Sequence, residues 1–512
     1  MDILTQTVSL FFRPRQLEIR RFERDADLIQ HKQLLALLRM AHNTEWGHTY
    51  DYKSIRSYAD FSQRVPIQTY DDIKPFVMRM IGGERNVLWP SLVRWYAKSS
   101  GTTNDKSKFI PVTPEALRKC HYQGGFDTVS IYLRNYPDSH FFSGKGLILG
   151  GSHSPSSLNE RAYQGDLSAV LLQNLNPLVD LIRVPKKSII LMDEWESKIK
   201  SIVESTCDQN VTNLSGVPSW MLVLIKAVLK KTGREYLTDV WPNLEVFFHG
   251  GVSFEPYREQ YKTLIPSERM RYMETYNASE GFFGLQDDPT DPSMLLMLDY
   301  GIFYEFIPVV ELGNECSSVA VPLEAVEVGK NYAMVITTCG GLWRYQIGDT
   351  IRFTSLFPHK FVISGRTKHF INAFGEELMV DNAEKAISQT CQQTGAKVRE
   401  YTAAPLFMLD KAKGRHQWVI EFEKEPRSLD QFATLLDQNL QQLNSDYEAK
   451  RYKGISLQPL EIIMVQEGTF YEWLRRKGKL GGQHKIPRLC NERTHIEELM
   501  RVNASLSISH KD

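Results

Sequence analysis

Between Leu295 and Phe353 the chain is a series of apolar and β-branched runs broken by Gly301, Gly313, Gly340 and Gly348, a texture that calls for a sheet with glycine turns. What precedes it alternates. Leu28 to Asn43 has helical spacing, one helix ends near Val203, and Ser215-Gly216-Val217-Pro218 opens another that runs to Gly233, with proline at the start and glycine past the end. Leu244 to Phe248 and Met270 to Tyr276 read as strands, with a helical pattern at Tyr257 to Leu264 between them. After Ile363-Ser364-Gly365-Arg366 the texture changes again. Helices are expected at Glu376 to Cys391 and Leu429 to Leu443, with strands near Tyr401, Trp418 and Leu460 and then a basic tail. The expected architecture is α/β and α+β, a large N-terminal domain over 1–365 and a small mobile C-terminal domain over 366–512.

Composition narrows the function. The 61 basic and 61 acidic side chains of this 512-residue chain cancel, so the basic surplus of a nucleic-acid binder is missing, and a 42% hydrophobic content does not suit disorder. Six scattered cysteines form no C-x-x-C pair, which points away from a zinc site or a disulfide framework and towards the cytoplasm. The apolar start lacks the basic residues and cleavage site of a signal peptide, and Asp299, Glu305 and Pro308 interrupt the most apolar later stretch, so membrane insertion is not expected.

Four segments carry candidate chemistry. Ser99-Ser100-Gly101-Thr102-Thr103, with Lys106 and Lys108 behind it, can aim several donors at one phosphate, although it also fits a polar turn and lacks the second glycine of a Walker loop. Tyr276-Asn277-Ala278-Ser279-Glu280 brings an aromatic ring and a carboxylate close together, while Gly250 and Gly251 leave room for a flat base. Gly348-Asp349 after an aromatic run suits a ribose contact or, by spacing alone, a hairpin turn. The stretch from Arg475 to Arg488 is basic and acid-free, and reads as a solvated run or as a lid-borne phosphate contact. Signatures for serine hydrolases, zinc proteases and dinucleotide binding are missing.

In their order along the chain these segments, followed by Gly365-Arg366 and Lys485, resemble the adenylate-forming superfamily of acyl-CoA synthetases, adenylation domains and luciferases. The wording of Ser99 to Pro111, of Gly216 to Trp220, of Phe303 to Pro308 and of Gly482 to Arg488 is similar to the acyl acid amido synthetases of plant auxin and jasmonate conjugation, which also occur in bacteria. The resemblance implies an N-terminal adenylate-forming domain and a mobile cap. It also implies an ATP- and Mg²⁺-dependent ligase that adenylates a carboxylic acid, releases pyrophosphate and passes the acyl group to an amine or amino acid.

By the same resemblance Ser99, Ser100, Gly101, Thr102 and Thr103 cradle the phosphates, Gly250, Gly251 and Tyr276 hold the adenine, and Asp349 with Arg366 holds the ribose. Glu280 holds Mg²⁺, and Lys485 is the catalytic lysine that offsets charge as carboxylate meets α-phosphate. Val217, Trp220 and Phe282 stand as acyl-pocket walls, with Phe126 beside them. Trp343-Arg344-Tyr345-Gln346 and Ala278 depart from the plant wording, which leaves acyl and amine specificity open. The alternatives are an acyl-CoA ligase with a thiol acceptor and a nucleotide-binding regulator without turnover.

Overall fold

The computed structural model describes the chain except for residues 1, 100–107, 157–158, 252–253, 255–256, 313–319, 368–369, 372, 374–375, 377, 408–413, 452–456, 478–485 and 510–512. Two compact units emerge. The larger comprises Met1–Ile347, Arg352–Val362 and Gly481–Gln483, the smaller Gly348–Ile351, Ile363–Leu480 and His484–Asp512.

Among the described residues up to 366, sixteen strands follow in chain order: β1 (Trp95–Ser99), β2 (Lys108–Val112), β3 (Lys145–Ile148), β4 (His153–Pro155), β5 (Tyr163–Gly165), β6 (Arg183–Val184), β7 (Val211–Gly216) and β8 (Val246–Gly250). Then come β9 (Arg271–Ala278), β10 (Gly281–Leu285), β11 (Met294–Leu296), β12 (Ile302–Pro308), β13 (Val321–Pro322), β14 (Asn331–Thr338), β15 (Tyr345–Leu356) and β16 (His359–Arg366). Twelve of them form one sheet, ordered β13-β12-β14-β15-β16-β11-β10-β9-β8-β7-β3-β6, and a second sheet is ordered β2-β1-β5-β4.

The large sheet changes character along its width. From β6 through β3, β7 and β8 to β9 all pairings are parallel, and from β9 through β10 and β11 to β16 they are antiparallel. Parallel strands are covered on both faces, and Val246-Phe247-Phe248 shows this in sequence as an unbroken apolar run. Phe247 stacks on Tyr261 within a core that includes Leu214, Met221 and Ile225, and Phe248 meets Tyr132 on the opposite face. The helix Pro218–Thr232 has proline at its first turn and Gly233 at φ +65° just past its end, a conformation that glycine adopts without strain. Helix and strand boundaries differ from the sequence expectation by a few residues: Val246–Gly250 takes in His249 and Gly250, and Phe22–Ala41 starts earlier than Leu28.

Two expectations are corrected. Gly348-Asp349 is not a hairpin turn: it lies inside β15, where Gly348 adopts φ +92° and its carbonyl accepts from the Thr367 N–H at 2.8 Å. The two-residue turn instead falls at Phe357-Pro358, between β15 and β16. Secondly, the chain does not run out in a basic tail, because Thr494–Ser509 is a helix.

In the smaller unit a three-stranded sheet pairs β19 (Lys397–Phe407) antiparallel to β20 (Gly414–Lys424), and β20 parallel to β21 (Glu461–Val465). It follows the short ribbon of β17 (Phe370–Ile371) and β18 (Leu378–Met379). Strand alternation sorts the residues of this sheet. Trp418 and Ile420 face a core with Ile387, Leu436 and Leu440 from the helices Val380–Thr394 and Leu429–Leu443, while Val419 faces Phe470, Trp473 and Leu499. Glu421, buried among the latter, accepts from the Gly468 and Phe470 N–H groups at 3.0 and 3.1 Å.

Candidate functional site

Where β3 turns one way to β6 and the chain returns on its other side to β7, the sheet reaches its topological switch, and open α/β sheets bind ligands beyond the carboxyl ends of strands at such a point. The parallel register places Gly216 beside His249 and Gly250 beside Thr275, so the ends of β7, β8 and β9 form one rim.

Both rim glycines are needed for shape. A Cβ at Gly250 would lie 2.3 Å from the Thr275 carbonyl oxygen, and Gly251 has φ +83°. Val217 comes next to Gly251, whose added Cβ would stand 3.4 Å from Val217 Cγ2. Trp220, half-buried, packs against the core beneath. Tyr276 sits one residue past the Thr275 that pairs with Gly250, with 6% of its surface exposed and its ring T-shaped against Phe283 at 4.9 Å. Ser279 and Glu280 form the two-residue turn between β9 and β10, closed by the pair Ala278 and Gly281, and Glu280 is half-buried at its tip. The structure thus brings Val217, Gly250, Gly251, Tyr276 and Glu280 to one end of the parallel strands.

The remaining sequence candidates fall elsewhere. Phe282 is 4% exposed and covers Gly124, where a Cβ would be 2.4 Å from its ring, so it is a packing residue of the core beneath the turn. Phe126 lies on the surface against Phe12. Ser99 ends β1 opposite Lys108 of β2, which anchors the two ends of the hydroxyl-rich segment, while Ser100, Gly101, Thr102 and Thr103 lie outside the described residues. Asp349, 8% exposed, and the backbone of Arg366 belong to β15 and β16 in the smaller unit. Lys485 lies outside the described residues.

The basic run looks different in three dimensions. Arg475 and Arg476 pair with Glu472, Lys477 with Glu498 at 2.8 Å, and Arg488 with Glu400 at 2.5 Å. Four of its six cations therefore have carboxylate partners; the other two, Lys479 and Lys485, lie outside the described residues.

Several rim residues escaped the sequence reading. Lys198 is almost fully buried and donates from Nζ to the Gly150 carbonyl at 3.1 Å, just past β3, and burial pushes its ammonium below the usual lysine range. The Gly151 and Ser152 N–H groups go to Ser168 Oγ and Asp166 Oδ2 at 2.9 and 3.2 Å, so this turn is held from both sides. His249 stacks on Phe254 at 4.3 Å, and burial, with Arg258 adding to it, lowers it to about 3, so the ring is neutral. His121 and Cys120 end a π-turn, Ala116–His121, beside the β9–β10 turn, and π-turns often occur at functional positions. No three-residue spacing marks these residues in sequence. Of these residues, His249 belongs to the His249-Gly250-Gly251 run that the sequence does offer, and Asn277, to which His121 bonds, lies inside the Tyr276–Glu280 motif.

A hard-cation site can be tested on donor chemistry. Among the described residues no group of three or more histidine, cysteine or carboxylate side chains is placed to hold a metal. One turn-borne carboxylate such as Glu280 does fit Mg²⁺, which is commonly held by one or two carboxylates together with substrate phosphates.

The GH3 family N-terminal domain matches residues 15–270, its central domain 295–366 and its C-terminal domain 381–494. The chain belongs to the GH3 family. An indole-3-acetic acid-amido synthetase of Arabidopsis thaliana, GH3.4, is 26% identical over 94% of this chain and 92% of its own length. Among solved structures, the AtGH3.15 acyl acid amido synthetase in complex with 2,4-DB superposes with a TM-score of 0.76 at 19% identity, covering 98% of this chain and 97% of that one. The 2-hydroxyisobutyryl-CoA ligase in its postadenylation state shares the fold more distantly, with a TM-score of 0.58 at 13% identity over 93% and 91% of the two chains. This GH3 chain therefore has the adenylate-forming fold expected from its motifs. No helix among its described residues is long and apolar enough to cross a membrane.

Proposed function

We propose that this GH3 chain is an ATP-dependent acyl acid amido synthetase that adenylates a carboxylic acid, releases pyrophosphate and transfers the acyl group to an amine, most simply an amino acid. The observation that supports this reading is the rim at the ends of β7, β8 and β9, where Gly250 pairs with Thr275, the neighbour of Tyr276, and β9 runs on into the Ser279–Glu280 turn.

In this reading the glycine backbone admits the adenine and Tyr276 flanks it. Ser99 and the hydroxyls of Ser100, Thr102 and Thr103, with the backbone of Gly101, hold the phosphates, and Asp349 and Arg366 hold the ribose. Val217 and Trp220 border the acyl group, while Phe282 packs beneath the β9–β10 turn against Gly124. Glu280 would hold Mg²⁺, which supplies positive charge to the phosphates. Carboxylates are poor acyl donors, so the first half-reaction joins the acid oxygen to the α-phosphorus and breaks the bond to pyrophosphate. Lys485 lowers the charge repulsion of that step; a flexible ammonium suits the role better than a planar guanidinium. The amine nitrogen then attacks the acyl carbon and AMP leaves. The boundary near residue 365 separates the nucleotide-binding body from a cap. A reducing cytoplasmic setting suits the free cysteines 120, 207, 339, 391 and 490.

The acceptor is tested by offering one activated acid with CoA or with a panel of amino acids. An amide product supports the proposal, and a thioester formed in its place assigns the chain to acyl-CoA ligation. Asp349→Asn should weaken ATP in calorimetry; unchanged affinity removes the ribose assignment.

A further inference from the structure

The β9–β10 turn that presents Glu280 is gripped from behind by two consecutive residues of the π-turn. His121 Nδ1 lies 2.9 Å from Asn277 Oδ1, and the Phe282 N–H donates to Cys120 Sγ at 3.1 Å. Asn277 and Phe282 are directly paired across the two strands, one step behind the closing pair Ala278 and Gly281. Adjacent side chains of one helical turn thus hold opposite arms of the same hairpin. The extra residue of a π-turn changes which side chains share a face, and here Cys120 and His121 both face the hairpin.

We propose that His121 and Cys120 are positioning residues that fix the Ser279–Glu280 turn, and hence the carboxylate meant for the metal–phosphate group, by clamping Asn277 and Phe282. The clamp rests on the adenylation reading above, because the turn matters only if Glu280 meets that group.

The surroundings favour a fixed turn. Gly124, one helical turn past the clamp, lets the Phe282 ring lie where a Cβ would be, and the ring also meets Tyr300 at 5.9 Å. His121 and Cys120 are both buried, at 4% and 2% exposure. Burial pushes His121 down to about 4 and the Cys120 thiol up to about 12, so neither group is charged near neutrality. An amide oxygen only accepts, so the imidazole proton resides on Nδ1. A neutral clamp adds no charge that would compete for Mg²⁺, and its geometry is set by direction alone.

The test is calorimetric binding of α,β-methylene-ATP over a series of Mg²⁺ concentrations, with no acid present so that nothing turns over. His121→Phe and Asn277→Ala should each weaken Mg²⁺-dependent binding about tenfold, the scale of one lost buried hydrogen bond. Asn277→Gln keeps a neutral amide acceptor and should bind more tightly than Asn277→Ala, and the double variant of His121→Phe with Asn277→Ala should be no weaker than the weaker single one. Asn277 is only half-buried, so Asn277→Ala decides the matter even if His121→Phe fails to fold. If Asn277→Ala binds like the parent while Glu280→Gln loses its Mg²⁺ dependence, the clamp is overturned. If Glu280→Gln itself binds like the parent, the metal reading falls and the clamp loses its purpose with it.

Discussion

Arg344 and Glu305 form a buried two-pronged ion pair, with Nη2 2.7 Å from Oε1 and Nε 3.1 and 3.0 Å from the two carboxylate oxygens. Arg344 adopts φ +43°, unusual for a residue with a side chain, and its Nη1 donates to the Ser62 and Val65 carbonyls. One guanidinium therefore joins β12 to the segment before β15. Truncating Glu305 leaves a buried charge unpaired, so Glu305→Leu should lower the unfolding free energy by about 3–5 kcal/mol in urea denaturation. A loss below about 1 kcal/mol would show that the pair is not the anchor its geometry suggests.

Gly250→Ala should act on ligand binding. Its Cβ would press on the Thr275 backbone at 2.3 Å and force β8 from β9 at the rim. ATP affinity by calorimetry should fall about tenfold, near 1.4 kcal/mol. Gly233→Ala is the control: Gly233 has φ +65° but nothing within 4 Å of the added Cβ, so about 1 kcal/mol of stability is lost and ATP binds as before. Equal effects of both substitutions on ATP binding would refute the rim.

His121 gives a pH signature. Its folded-state value near 4 lies below the ordinary 6.5, so between those limits the unfolded chain binds a proton that the folded chain refuses. Stability therefore falls as pH drops from 6.5 to 4 and flattens below 4. The full effect approaches about 3 kcal/mol. His121→Gln removes it, so the stability difference between parent and variant should shrink by that amount from pH 7 to pH 4. A difference that stays constant over this range would mean that His121 is not held neutral by its burial.

What the sequence disclosed was governed by local chemistry. Pro218 and Gly233 marked a helix at both ends, and Leu429–Leu443 was readable from its spacing, because caps and periodicity act over a few residues. The Gly348-Asp349 pair misled because a glycine at positive φ fits inside β15 as well as in a turn, and the partner that distinguishes the two, Thr367, lies nineteen residues on. The basic run misled in part because Lys477 finds Glu498 only after Thr494–Ser509 folds back as a helix. The rim motif was legible around Tyr276 and Glu280. His121, Lys198 and Arg15 were not. Arg15 illustrates why, since its guanidinium meets Asp127 and Asp299, residues more than a hundred positions away, at 2.8 Å each.

Arg15→Lys should show that this contact needs a fork. A point charge cannot satisfy both carboxylates with the same geometry, and Asp127, whose side chain is fully buried, would be left partly unpaired. The melting temperature should drop by about 1–2 °C, on the order of what 1–2 kcal/mol produces in a chain this size; an unchanged melting temperature would contradict the role of the pair.

The most direct measurement is carboxylate-dependent exchange of labelled pyrophosphate into ATP across a library of carboxylic acids, made with the parent chain and with Lys485→Ala. Acyl-adenylate formation predicts exchange that requires both a particular acid and Mg²⁺ and that vanishes in Lys485→Ala while ATP still binds. Absence of exchange with every acid, or exchange that continues undiminished without Lys485, would contradict it.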